Sequence, residues 1–177
     1  ARRAAAGGLR VIISTGDNST GMFTQGTNAT ALNTGSVTIG DLDLGWFTPS
    51  PTFGEYEAAQ LGFGVASWGD ALSQVVNYGQ ITTGNGTVGA ASRMYAPGYG
   101  YTAQLLQNAD GVIITGDNST GALVAGNYSS TLANEGRITV GNDSIVVDIT
   151  AGSVTLRRDD ATATVIEGVL YASNSGI

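Results

Sequence analysis

The hexapeptide GDNSTG stands at Gly16–Gly21 and again at Gly116–Gly121. Glycines flanking an acid, an amide and two hydroxyls are the residue types of a phosphate cradle or of an oxygen-ligated cation site. A phosphate loop of the Walker type also needs a lysine, and all seven cations of this chain are arginine. Asp17/Asn18 and Asp117/Asn118 could ligate calcium through oxygen. Each turn offers only one carboxylate, however, and the GGxGxD pattern of calcium-binding repeats is missing. Asn, Asp, Gly and Ser are also the residues a tight turn requires with no ligand at all. The expectation is therefore a structural turn with no metal and no cofactor.

Two other stretches carry groups suited to recognition. Asp41 to Leu61 holds the acids Asp41, Asp43, Glu55 and Glu57 beside the aromatics Trp46, Phe47, Phe53 and Tyr56. Aromatic rings stack on sugar faces while carboxylates bond hydroxyls, and a carboxylate pair is also the machinery of a glycosidase. The plainer alternative is that these rings cover the flank of the fold. Arg93–Tyr101, RMYAPGYGY, brings Tyr95, Tyr99 and Tyr101 around a Pro-Gly turn, and tyrosine buries contact area at little entropic cost. The cluster Arg157, Arg158, Asp159 and Asp160 reads as a solvated turn. The N-x-S/T triplets at Asn18, Asn28, Asn118 and Asn127 are expected by chance in so Ser/Thr/Asn-rich a chain and are not read as glycosylated.

Composition excludes several activities. With no cysteine and no histidine, thiolate or imidazole zinc sites, cysteine nucleophiles and a Ser-His-Asp triad are ruled out. A formal charge of −7 argues against nucleic acid and against an anionic membrane surface. No apolar run approaches the roughly 20 residues of a membrane span, so no membrane insertion of this segment is expected. The opening ARRAAAGGLR is basic and alanine-rich but lacks the apolar region of a signal peptide.

The elements that must position these residues come from a repeat. The chain has 27 glycines among 177 residues, about twice the usual share. Gly16, Gly40, Gly84, Gly116 and Gly141 each close a short apolar run and precede a polar turn. Three positions before them stand Ile13, Val37, Ile81, Ile113 and Ile138; one position before stand Thr15, Ile39, Thr83, Thr115 and Val140. That alternation is a strand with one buried face. Gly35, Gly79, Gly111 and Gly136 open the runs, each after an asparagine two or three residues earlier. Anchor spacings are 40 − 16 = 24, 84 − 40 = 44, 116 − 84 = 32 and 141 − 116 = 25. Each unit reads as three short strands and three turns. The longer spacings are the same unit with the two stretches above, about 41–61 and 93–101, inserted. Recurrent asparagines are expected to stack as a hydrogen-bonded ladder.

The strings NTGSVTIG, NYGQITTG and NEGRITVG, the terminal NSGI and the two GDNSTG turns resemble the passenger regions of bacterial autotransporters and related exported adhesins. That resemblance implies a right-handed parallel β-helix, here a single segment of about five three-sided coils with two loop excursions. The hand also follows from the general right-handedness of parallel connections. It further implies an extracellular, surface-attached, non-enzymatic role in adhesion. Partners would be other copies of the chain, a host or neighbouring cell surface, or glycans, met through Trp46, Phe47, Phe53, Tyr56, Tyr95, Tyr99 and Tyr101. Stopping on NSGI, the start of another unit, suggests a piece of a longer array. A carbohydrate-active β-helix enzyme and a self-stacking filament module are the alternatives.

Overall fold

A computed structural model of the chain describes residues 11–43, 62–94, 102–126, 128–151, 154–157, 165–167 and 169–174. Among them there is no helix. Six short strands, β1 (Ile12–Ser14), β3 (Ser36–Thr38), β5 (Gln80–Thr82), β8 (Val112–Ile114), β11 (Arg137–Thr139) and β14 (Val165–Glu167), form one parallel sheet in the order β1-β3-β5-β8-β11-β14. The remaining nine form a second: β2 (Met22–Asn33), β4 (Phe63–Asn77), β6 (Val88–Met94), β7 (Thr102–Gln107), β9 (Thr120–Ala125), β10 (Ser129–Asn134), β12 (Ile145–Ala151), β13 (Val154–Arg157) and β15 (Val169–Asn174). Every pairing is parallel.

The expected right-handed β-helix of three-sided coils is corrected by this sheet count. The strands make two sheets, of six and nine members, and not three separate faces. The second and third strands of the expected unit run on as one in β2, of 12 residues, and β4, of 15 residues. Nothing in these stretches stops the ladder, for neither contains proline, and Gly26 and Gly69 let the backbone bend without ending the strand. Phe63–Gly69 of β4 pairs with β6, and Leu72–Asn77 of the same strand pairs with β7. The nine-stranded sheet therefore has two arms, β6-β9-β12-β15 and β7-β10-β13, both joined to β4.

Register follows the aligned sequence. Ile13, Val37, Ile81, Ile113, Ile138 and Ile166 are consecutive cross-strand partners, and the four from Val37 to Ile138 are fully buried. They pack with Val65, Val75, Leu105, Val124 and Leu132 of the larger sheet into the main core. A second cluster, Phe63, Ala66, Trp68 and Ala91 with Phe23, Val88 and Leu123 against it, lies apart from the first. Burial is continuous along Phe63–Gly69 because Val65 feeds the first core while Phe63, Ala66 and Trp68 feed the second. Phe23 and Phe63 meet Trp68 edge-on, at 4.9 and 6.3 Å between ring centroids, the favoured aromatic geometry.

Candidate functional site

Five of the six positions of GDNSTG have a mechanical task. The residue after the anchor glycine is Asp17, Asp41, Asn85, Asp117 or Asn142. Its Oδ1 accepts the backbone N–H of the same position in the next repeat: Asp41 N to Asp17 (3.0 Å), Asn85 N to Asp41 (2.8 Å), Asp117 N to Asn85 (2.8 Å) and Asn142 N to Asp117 (2.7 Å). Only an acceptor is needed, so Asp and Asn alternate freely. The anchor must be glycine because a Cβ on Gly40, Gly84, Gly116 or Gly141 would run into that acceptor and the backbone beside it. The next position takes a left-handed backbone at Asn18 (φ 52°), Gly86 (φ 68°), Asn118 (φ 53°) and Asp143 (φ 53°). Those are the residue types that tolerate it.

The hydroxyl that follows closes the turn and ties it to its neighbour. Thr87 N donates to Ser119 Oγ (3.2 Å) and Ser119 N to Ser144 Oγ (3.0 Å). Those hydroxyls donate back within their own turns, Ser119 Oγ to Asp117 O (3.0 Å) and Ser144 Oγ to Asn142 O (2.9 Å). The final glycine, Gly21 or Gly121, lies against both sheets. A Cβ on Gly121 would lie 2.6 Å from both Ile138 Cγ2 and Val146 O. Among the described residues no three acids could hold a metal.

A second ladder stands at the opposite end of the short strands. Asn33 Nδ2 donates to Asn77 Oδ1 (2.9 Å), and Asn77 Nδ2 to Gln107 Oε1 (3.3 Å). The side chains of Asn33, Asn77 and Asn134 also accept the N–H of Gly35, Gly79 and Gly136. In the third unit the ladder residue is Gln107 and not Asn108. One extra residue in NADG displaces Asn108 into the turn, where its Oδ1 accepts Asp110 N (3.2 Å). The longer Gln107 side chain spans the gap and bonds Gly111 O and Arg137 O. Where the large sheet bends, buried Ser67, Ser73 and Ser92 take over: Ser92 Oγ donates to Ser73 O (2.9 Å), and Arg93 N to Ser73 Oγ (3.1 Å).

Trp46, Phe47, Phe53, Tyr56, Tyr95, Tyr99 and Tyr101, with Glu55, Glu57, Asp159 and Asp160, lie outside the described residues. The described ends of the two insertions differ from the sequence boundaries. Asp41 belongs to the acceptor ladder, and Asp43 N donates to Asn18 Oδ1 (3.0 Å). Gly62 N then bonds Ser19 O (2.8 Å), as Thr120 N bonds Thr87 O in a later repeat. The first insertion is thus spliced into the turn that GDNSTG forms elsewhere. Arg93 and Met94 belong to β6, where the Arg93 guanidinium sits 5.1 Å from the centre of the Trp68 ring.

Sequence reading did not single out the outward face of the arm formed by β4, β7 and β10. Leu32, Val76, Leu106 and Ala133 are cross-strand partners and form an apolar track running across the strands. On one side lies the track Thr30, Gln74, Gln104 and Thr131, in which Gln74 Nε2 donates to Gln104 Oε1 (3.0 Å). On the other lie Thr34, Tyr78, Asn108 and Glu135, one residue beyond the buried amide ladder. Val76, Leu106 and Ala133 floor an open groove of about 220 Å³ that Tyr78, Asn108 and Glu135 rim. The signal was present in the period-two pattern, as the polar or apolar residue between inward ones.

No family model, curated protein or solved structure matches the chain. No helix among the described residues is long and apolar enough to cross a membrane.

Proposed function

We propose that the chain is a structural and adhesive segment of an exported bacterial surface protein, working outside the cell by presenting its outward faces and inserted loops and not by catalysis. The observation that carries this reading is the use of the polar side chains. Asp17, Asn18, Asp117 and Ser119, which looked like parts of a duplicated site, each accept a backbone N–H of a neighbouring repeat. What remains free for recognition faces outward, on a scaffold whose repeats keep those side chains at a fixed spacing of about 4.8 Å from strand to strand. The likeness of NTGSVTIG and its companions to autotransporter passengers supports the extracellular setting.

Beads coated with the chain should be retained on epithelial or bacterial cell layers several-fold over albumin-coated beads, with no soluble sugar released. Retention equal to albumin would contradict the adhesive role, and release of reducing sugar would contradict the absence of catalysis.

A further inference from the structure

We propose that the outward face of β4, β7 and β10 binds a linear, uncharged glycan laid across the strands, with Tyr78 as its principal contact. The inference deepens the adhesive reading and rests on it. Three parallel tracks, polar, apolar and polar, repeat once per strand at a step of about 4.8 Å. A pyranose ring has the same layout turned over, with apolar C–H faces bounded by hydroxyls along both edges. Laid flat, successive sugars set their faces on Val76, Leu106 and Ala133 while their hydroxyls reach Gln74 and Gln104 on one edge and the rim on the other.

The rim is chemically mixed, as sugar hydroxyls require. The half-exposed Tyr78 ring offers a stacking surface and a phenol, the Asn108 amide keeps its NH₂ for donation while its oxygen serves the turn, and the Glu135 carboxylate accepts. An acidic polymer is disfavoured by Glu135 and by the net charge of −7. An extended peptide would need a free strand edge to pair with. Here β4, β7 and β10 are hydrogen-bonded on both sides and expose only side chains.

The test is titration calorimetry of the whole chain with cellohexaose, chitohexaose, maltohexaose and an oligogalacturonate hexamer. At least one neutral hexamer should bind, its trimer at least fivefold more weakly because it spans fewer strands, and the acidic hexamer not at all. Tyr78→Ala should weaken binding tenfold or more with an unchanged thermal melt. Thr82→Ala, on the outer side of the six-stranded sheet, should leave it unchanged. Binding of no neutral hexamer, binding of the acidic one alone, or indifference to Tyr78→Ala would overturn the proposal. Beads that adhere while no hexamer binds would overturn the glycan assignment alone, whereas beads that fail to adhere would remove the adhesive reading itself.

Discussion

Asn77→Leu should destabilise the protein by about 3–5 kcal/mol, measured by urea unfolding. Asn77 is fully buried at the centre of the amide ladder. Its Oδ1 accepts from Asn33 Nδ2 (2.9 Å) and Gly79 N (3.2 Å), and its Nδ2 donates to Gln107 Oε1 (3.3 Å). Leucine keeps the branched shape but sets methyls where hydrogen-bonded atoms stood, and Gly79 N and Gln107 Oε1 both lose a buried partner. Each orphaned group costs about 1–3 kcal/mol. Asn33 Nδ2 keeps its contact to Gln80 O (3.3 Å), which limits the loss on that side. Set against a total stability of about 5–15 kcal/mol for a domain, this one amide decides a large share. Gln74→Leu, which removes a half-buried amide bond on the outward face, should cost no more than about 1 kcal/mol.

The two copies of GDNSTG should respond unequally to the same mutation. Gly116→Ala places a methyl against Asn85 Oδ1 and 2.8 Å from both Asn85 N and Gly84 C, inside van der Waals contact with backbone that cannot rotate away. Overpacking of this kind costs about 1–3 kcal/mol, and shifting Asn85 also weakens its bond to Asp117 N. Gly16→Ala meets nothing within 4 Å among the described residues, of which Gly16 belongs to the first repeat, with no described acceptor above it. Its effect should stay within about 0.5 kcal/mol. A ligand loop used twice would lose function at both positions, whereas a stacked turn is sensitive only where another turn lies on it. Paired thermal melts of the two variants distinguish these outcomes.

Much of this arrangement was legible in the sequence because the repeat constrains one residue type per position. Ile81, Ile113 and Ile138 announce a strand by alternation, and the glycines on either side mark its limits. The acceptor after each anchor glycine is visible once Asp17, Asp41, Asn85, Asp117 and Asn142 are aligned. What the pattern hides is where one strand ends and another begins. Phe63–Gly69 shows no alternation because both of its faces are covered, so β4 does not read as one strand of 15 residues, and three faces were expected where two sheets occur. Ser67, Ser73 and Ser92 are buried hydrogen-bonding groups at a bend, a role that strand patterning does not reveal. Gln107 was passed over for Asn108 because sequence spacing cannot tell that a longer amide reaches across an extra residue.

The sequence points to the aromatic insertions as the recognition surface, since loops usually carry it. The rings of Phe23, Phe63 and Trp68 show that aromatic residues here also serve packing. The outward tracks around Tyr78 draw no attention in sequence, being spread over positions 30 to 135 and assembled only by register.

The acid in GDNSTG serves as a hydrogen-bond acceptor between turns. Thermal and urea stability of Asp117→Asn and Asp117→Ala, each with calcium and with chelator, tests that role most directly. Asp117 Oδ1 accepts Asn142 N (2.7 Å) and Asn142 Nδ2 (3.2 Å), and an amide oxygen can replace it, as Asn85 already does one repeat earlier. Asp117→Asn should lie within about 0.5 kcal/mol of the parent, Asp117→Ala should be weaker by about 1 kcal/mol, and none of the three should depend on calcium. Equal damage from Asn and Ala, together with a calcium-induced rise in melting temperature that only the parent shows, would contradict it.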